Sequence, residues 1–235
     1  MSASRRLCVA AVWSVTSLAC ATTSPLSRQL CYNPDVQLAN VLRPLEDLRA
    51  KGCEIEKSTD GPATCDRLQQ ELQRLMVVCP TNAPILLANA VVAYDERNPI
   101  QAQQFLDQVL GQPGRYPDAA VLRARIAIEE GNVPFARRLL EQQIRLVPDH
   151  AGLHETLGAA LYLDGRLPDA VSELTTARAL GAPSWRVAYH LGLVDEAAGR
   201  FEDASRHYGE ALQGNPSWPQ AQSRFNALRA RTAKP

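Results

Sequence analysis

Four cysteines downstream of residue 30, two histidines one helical turn apart and two doublets of acids are the residues of this chain whose types and spacing could do chemistry. Each implies a different kind. His150 and His154 stand four apart, a step that puts two imidazoles on one helical face within reach of a single metal ion. His150 lies where one helical segment gives way to the next, however, and His154 falls on a position that packs between helices. Packed or solvated histidines are therefore expected, and no metal is assigned. Glu129-Glu130 and Asp95-Glu96 could in principle divide acid and base roles. Both doublets sit beside turns at helix ends, where exposed carboxylates are ordinary. No phosphate-cradling GxxxxGK[ST], GxSxG or HExxH occurs, so neither catalytic residues nor a cofactor are expected.

The cysteines carry a firmer expectation. Cys31, Cys53, Cys65 and Cys79 are even in number and lack the close C-x-x-C pairs of zinc sites, which favours disulfides. Four cysteines allow three connectivities, and the flanking sequence chooses among them. "DVQLANVLRPLEDLRAKG" (35–52) and "ATCDRLQQELQRLMVVC" (63–79) both carry apolar residues at helical steps, separated by the turn-rich "EIEKSTDGP". Cys65 and Cys79 are fourteen residues apart on one helix, about 21 Å at 1.5 Å per residue, too far to bond. An antiparallel hairpin instead brings Cys53 to Cys65 at one end and Cys31 to Cys79 at the other. Pro44 is a cost inside the first helix and a candidate kink.

Residues 1–19 read differently: Arg5 and Arg6, then an apolar run from Leu7 to Ala19, with no acid. A basic start and about a dozen apolar residues form a secretory signal, too short to span a bilayer. Ser17-Leu18-Ala19-Cys20 is similar to the lipobox of bacterial lipoproteins, whose cysteine is acylated and becomes the new N-terminus; Ser17 stands where that motif usually has leucine. Ordinary cleavage after Ala21 is the open alternative, since Ala19-Cys20-Ala21 satisfies the small-x-small rule. The chain is thus expected to be exported to the cell envelope or periplasm, with membrane attachment by lipid if Cys20 is acylated and a short tether over 20–34.

The rest of the chain must supply a fold. Lys+Arg and Asp+Glu both total 25, so no net field draws the chain to nucleic acid. Aromatics make up 6%, and Ala, Leu, Gln and Arg dominate, a composition for helices. A 34-residue recurrence then organises residues 83–218. Ala102, Ala136, Ala170 and Ala204 are in step, followed four residues on by Leu106, Leu140, Leu174 and Tyr208. Twelve residues before each alanine stand Ala90, Ala124, Gly158 and Gly192, and the turn between carries Arg97, Gly131, Gly165 and Gly199. Small residues permit two helices to approach closely, and the large residue one turn on fills the space beside that contact.

Four such blocks, 83–116, 117–150, 151–184 and 185–218, resemble the tetratricopeptide repeat (TPR) family, whose unit is a pair of antiparallel helices in 34 residues. The pattern departs from the family at Asn89 and Arg123, where leucine is usual, at Asp195 in a tyrosine place, and at Leu86, Ala120, His154 and Ala188, where a large aromatic is usual. The resemblance implies an all-α, right-handed superhelical array, here preceded by the cysteine hairpin (35–82) as an irregular unit and closed by a capping helix (219–235). It further implies a concave surface lined by the first helix of each unit. In this chain that surface would comprise Leu87, Val91 and Tyr94; Asp118, Val121, Arg125 and Ile128; Glu155, Ala159 and Tyr162; and Arg186, Tyr189, Leu193 and Glu196. An apolar lining with tyrosines and an Arg125/Glu155 pair suits an extended peptide or an amphipathic helix of a protein partner. The lysines and asparagines with which some members clamp a peptide carboxylate are not at the matching places. The function expected is a non-enzymatic protein-interaction scaffold.

Overall fold

The computed structural model describes residues 31–50 and 65–232, with side chains over 31–46 and 65–230. The signal and lipidation site (1–19, Cys20), most of the tether, Cys53 and the last three residues lie outside the described residues. Those described form eleven α-helices and no strand. A hairpin of α1 (Pro34–Ala50) and α2 (Cys65–Val78) comes first. Four helix pairs follow: α3 (Ala83–Asp95) with α4 (Pro99–Leu110), α5 (Pro117–Glu129) with α6 (Val133–Leu146), α7 (Ala151–Leu163) with α8 (Leu167–Ala179), and α9 (Ser184–Ala197) with α10 (Phe201–Gly214). A single helix, α11 (Pro219–Thr232), ends the stack. The second helices begin at 99, 133, 167 and 201, a constant step of 34.

Local chemistry explains these boundaries. Asn82, Asn98 and Asn132 cap α3, α4 and α6 by accepting from the backbone N–H three residues on. Proline occupies the first turn of α3, α4, α5, α6 and α8, where its missing N–H costs nothing. The turn inside each pair is the same hydrogen-bonded motif four times: Asn98, Asn132, Arg166 and Arg200 each donate their N–H to the carbonyl five residues back, at 2.7–2.9 Å. That motif needs one left-handed residue. Gly131, Gly165 and Gly199 supply it at φ of 79°, 73° and 74°; the first unit uses Arg97 at 62°. The helix α1 is continuous with Pro44 inside it.

The core is a line of contacts rather than a single centre. Every helix pair in substantial contact among the described residues is one or two helices apart in sequence. The periodic alanines Ala102, Ala136, Ala170 and Ala204 are all 0% exposed. Opposite them the small and large residues mesh. A Cβ on Gly158 would lie 2.7 Å from Leu174 Cγ, and one on Gly192 would lie 2.6 Å from Tyr208 Cε1. Leu86, Ala120, His154 and Ala188, which depart from the usual aromatic, are all buried, so the helix faces are kept with different volumes.

At the N-terminal end Leu38, Val41, Leu45, Leu72 and Leu75 pack the hairpin onto Ile85 and Val92 of α3. Cys31 and Cys79 form the expected disulfide, with a Cα–Cα distance of 5.2 Å. Cys65 is likewise disulfide-bonded, and its predicted partner Cys53 is outside the described residues. At the other end α11 buries Ala221 and Leu228 against α9 and α10.

Candidate functional site

The first helices of successive pairs line up to form an open trough. Its main cavity, about 500 Å³, is bounded by Asp118, Val121, Arg125, Ile128 and Glu129 of α5, by Gly152, Glu155, Thr156 and Ala159 of α7, and by Arg186 and His190 of α9. His150 sits at the mouth as N-cap of α7, and Trp218, from the turn before α11, closes the far end. A second cavity of about 390 Å³, lined by Tyr94, Asp95, Arg97, Pro99 and Glu129, adjoins it on the N-terminal side through the shared Glu129. The Pro at the start of α5 and the glycine turns hold these helices in parallel register, which is why residues four apart on each helix reach one surface.

Most charges in the trough are already paired. Glu155 is buried and its Oε2 accepts from Arg186 Nη2 at 2.6 Å. Asp118 meets His150 Nε2 at 3.1 Å. Glu129 accepts from the Tyr94 hydroxyl, which, with burial as the larger cause, raises the Tyr94 pKa. The Arg125 guanidinium lies 5.9 Å from the Tyr94 ring centroid. His190 is forced neutral: burial, then the fields of Arg186 and Arg125, lower its pKa from 6.5 to about 4. Its Nε2 is 3.9 Å from Glu155 Oε1, too far for a hydrogen bond.

The structure therefore sorts the residues expected to line a groove. Val121, Arg125, Ile128 and Glu155 share the main cavity with Arg186, and Tyr94 lines its neighbour. Val91 is exposed on α3, 40% accessible. The expected Arg125/Glu155 pair is not formed; Glu155 is taken by Arg186, which α9 brings across α7. Tyr162 packs against the central core, and Leu193 against Ala204, Tyr208 and Leu228. Tyr189 lies tilted between Trp218, at 4.3 Å, and Tyr208, at 5.7 Å, so Tyr162, Leu193 and Tyr189 are at least partly core residues. His190 and Trp218 were missed. His190 falls one residue past Tyr189 and lines the trough. Trp218 belongs to no first helix; only the placement of the turn before α11 delivers it.

The candidate metal pair is dispersed by its own partners. His154 is buried with Nδ1 2.6 Å from Glu173 Oε2 and Nε2 2.8 Å from the Pro148 carbonyl, so both ring nitrogens are engaged, while His150 faces Asp118. Among the described residues no group of three or more His, Cys, Asp or Glu side chains could hold a metal ion. Nor is any described helix long and apolar enough to cross a membrane. Glu130 is engaged as well, accepting from Gln103. Asp195, in the place of a tyrosine, joins Arg200 and His207, each at 2.6 Å, and so fastens α9 to α10.

A stack of four like hairpins joined by the same turn, presenting one concave face, defines an α-solenoid of the helix-pair kind. Its fold is that of the tetratricopeptide-repeat solenoids. No family model matches the chain. Tetratricopeptide repeat protein 36 of Bos taurus is 33% identical over 103 residues, 42% of this chain and 55% of that protein; the chain thus spans about half the length of this relative. Among solved structures, a thermophilic TPR protein of Thermus thermophilus superposes with a TM-score of 0.66 at 19% identity, over 82% of this chain and 99% of that one. Pseudomonas aeruginosa PilF superposes with a TM-score of 0.63 at 15% identity, over 86% of each chain.

Proposed function

We propose that this chain is a non-enzymatic scaffold of the bacterial cell envelope that holds a peptide segment of a partner protein in its trough. The observation that carries this reading is the 500 Å³ cavity spanning α5, α7 and α9. Val121, Ile128 and Ala159 offer apolar surface there, and charged groups stand around it that fix register rather than react. Each imidazole in the trough is either paired or held neutral by burial, and the carboxylates are occupied by Arg186, His150 and Tyr94; this arrangement supports binding over acid–base turnover.

Export rests on the sequence of residues 1–19, and anchoring on acylation of Cys20. Cys20 precedes Cys31 by eleven residues, a tether that reaches at most about 38 Å. The disulfide of Cys31 with Cys79 supports an oxidising compartment. A soluble exported module without lipid is the second reading, favoured by the alternative cleavage site at Ala21, and mass spectrometry of the mature N-terminus separates the two. The groove is tested with Arg125→Glu/Ala159→Glu in the full chain, two positions that line the cavity outside the core cluster. Partners cross-linked to the wild type should be lost from the variant while far-UV circular dichroism is unchanged. Unchanged capture by the variant would refute the groove.

A further inference from the structure

The Cys31–Cys79 bond sits at a fork in the covalent path from the N-terminus to the repeats. Cys31 lies just ahead of α1, which begins at Pro34, and Cys79 lies between the end of α2 at Val78 and the start of α3 at Ala83. Between the two cysteines in sequence are the α1–α2 hairpin and its connection, 48 residues in all. Two routes therefore lead from residue 31 to α3. One runs along the hairpin backbone; the other crosses two sulfur atoms.

The routes differ in how they respond to a pull. The disulfide route is already taut, with the alpha carbons 5.2 Å apart, whereas the hairpin backbone drawn straight would span at most about 170 Å. Tension applied at residue 31 is therefore carried by the shorter route. The points of entry differ as well. The end helix α1 packs against α2 and α3 through Leu38, Val41 and Leu45, in a single core cluster. A pull on its first turn would lift those residues one after another, and Pro44, with no N–H to donate, leaves a gap in its ladder. Cys79 is held more firmly. It is 3% exposed, its N–H donates to the Leu75 carbonyl at 2.8 Å, and its own carbonyl accepts from Asn82 at 3.1 Å. The helix beyond it is shared by two clusters: Ile85 and Val92 belong to the hairpin's, Leu86, Ala90 and Ala93 to that of the first repeat. Displacing α3 breaks into both at once.

Resting on the reading that the chain is held at its N-terminus, we infer that the Cys31–Cys79 bond is a mechanical bypass. Tension on the tether enters the array at α3, and the hairpin hangs outside the path as a cover. Without the bond the hairpin would stand in series between anchor and repeats. A pull would then unpick it and bare Ile85 and Val92, opening the end of a stack that needs a cap.

The test stretches single molecules of the chain from Ala21 onward, held by peptide tags at its two ends, so acylation of Cys20 plays no part. The oxidised wild type should yield first within the repeats. Cys31→Ser with Cys79→Ser should add an earlier event at lower force, lengthening the chain by at most about 170 Å. A variant whose first event comes at the wild-type force would overturn the inference, because the hairpin in series would then resist as well as the repeats do. A second measurement leaves every cysteine in place and moves the N-terminal handle to an azide-bearing side chain at the exposed Thr81, just past the bond. The first yield force should be the same from Thr81 as from the tether; a lower force from the tether would refute the bypass. Failure of the anchoring reading shows separately, in the mass of the mature N-terminus.

Discussion

Gly192 is where the packing logic can be tested most sharply. Substituting Gly192→Ala would put a methyl 2.6 Å from Cε1 and 2.7 Å from Cδ1 of Tyr208. That ring cannot step aside: Tyr208 is 0% exposed, its hydroxyl donates to Glu196 Oε2 at 2.7 Å, and Tyr189 lies against it. The helices α9 and α10 must therefore separate, an overpacking that costs about 3 kcal/mol. Replacing glycine by alanine inside a helix returns about 1 kcal/mol. The net loss is about 2 kcal/mol, a fall in melting temperature of about 4–8 °C for a chain of this size. Tyr208→Leu alone should also cost about 2 kcal/mol, through lost volume and the lost bond to Glu196.

The double variant reproduces the Ala124 and Leu140 combination that the second unit already uses in its core. It should be destabilised by about 2 kcal/mol rather than about 4, a coupling near 2 kcal/mol. Urea titrations followed by far-UV circular dichroism and by the fluorescence of the neighbouring Trp185 and Trp218 would measure it. Additive losses would show that small and large residues at these places are not filling one another's space, and the account of the repeat would fail.

Other perturbations follow from the same geometry. Arg97→Gly should raise stability by about 0.5–1 kcal/mol in a thermal melt, because a left-handed arginine at φ 62° replaces the glycine used in the other three turns. His190 binds protons less readily in the folded chain than in the unfolded one, so stability is full above pH 6.5 and is lost progressively between pH 6.5 and about 4. His190→Gln should flatten that part of a plot of urea midpoint against pH. Reducing the chain, or Cys31→Ser with Cys79→Ser, removes a cross-link spanning 48 residues and costs at most about 4 kcal/mol. Limited proteolysis should then cut α1 and α2 while the stack from α3 onward stays resistant.

Much of this fold could be read before any coordinates. The alanines at 102, 136, 170 and 204 declare it because steric contact between two rods tolerates only small side chains, and such a constraint is local and periodic. The Cys31–Cys79 bond followed from helical rise, which rules out Cys65 with Cys79, and from folding the two helices as an antiparallel hairpin. The trough was less legible. Which charges meet depends on the rotation of each pair relative to the last: that rotation gives Glu155 to Arg186 instead of Arg125, and draws Tyr189 into a ring cluster. Trp218 reaches the cavity from a turn, where no helical period points. A double Tyr162→Glu, Tyr189→Glu substitution would accordingly strike packing as well as any bound segment; Val121 and Ile128 are half-buried against the same core as Tyr162, and Arg125 and Ala159, outside that cluster, are the cleaner probes.

Because each helix leans only on its nearest one or two neighbours in sequence, the curvature of the trough is the sum of several small, independent hinge angles. Such a body behaves as a spring. A guest lying along it can be gripped by a slight tightening shared among all the joints, with no lid to close and no joint strained far. The staple at Cys79 and the edge-to-face ring contact at Trp218 then act as rigid handles at the two ends of the coil, and the distance between them is the coordinate along which occupancy would register.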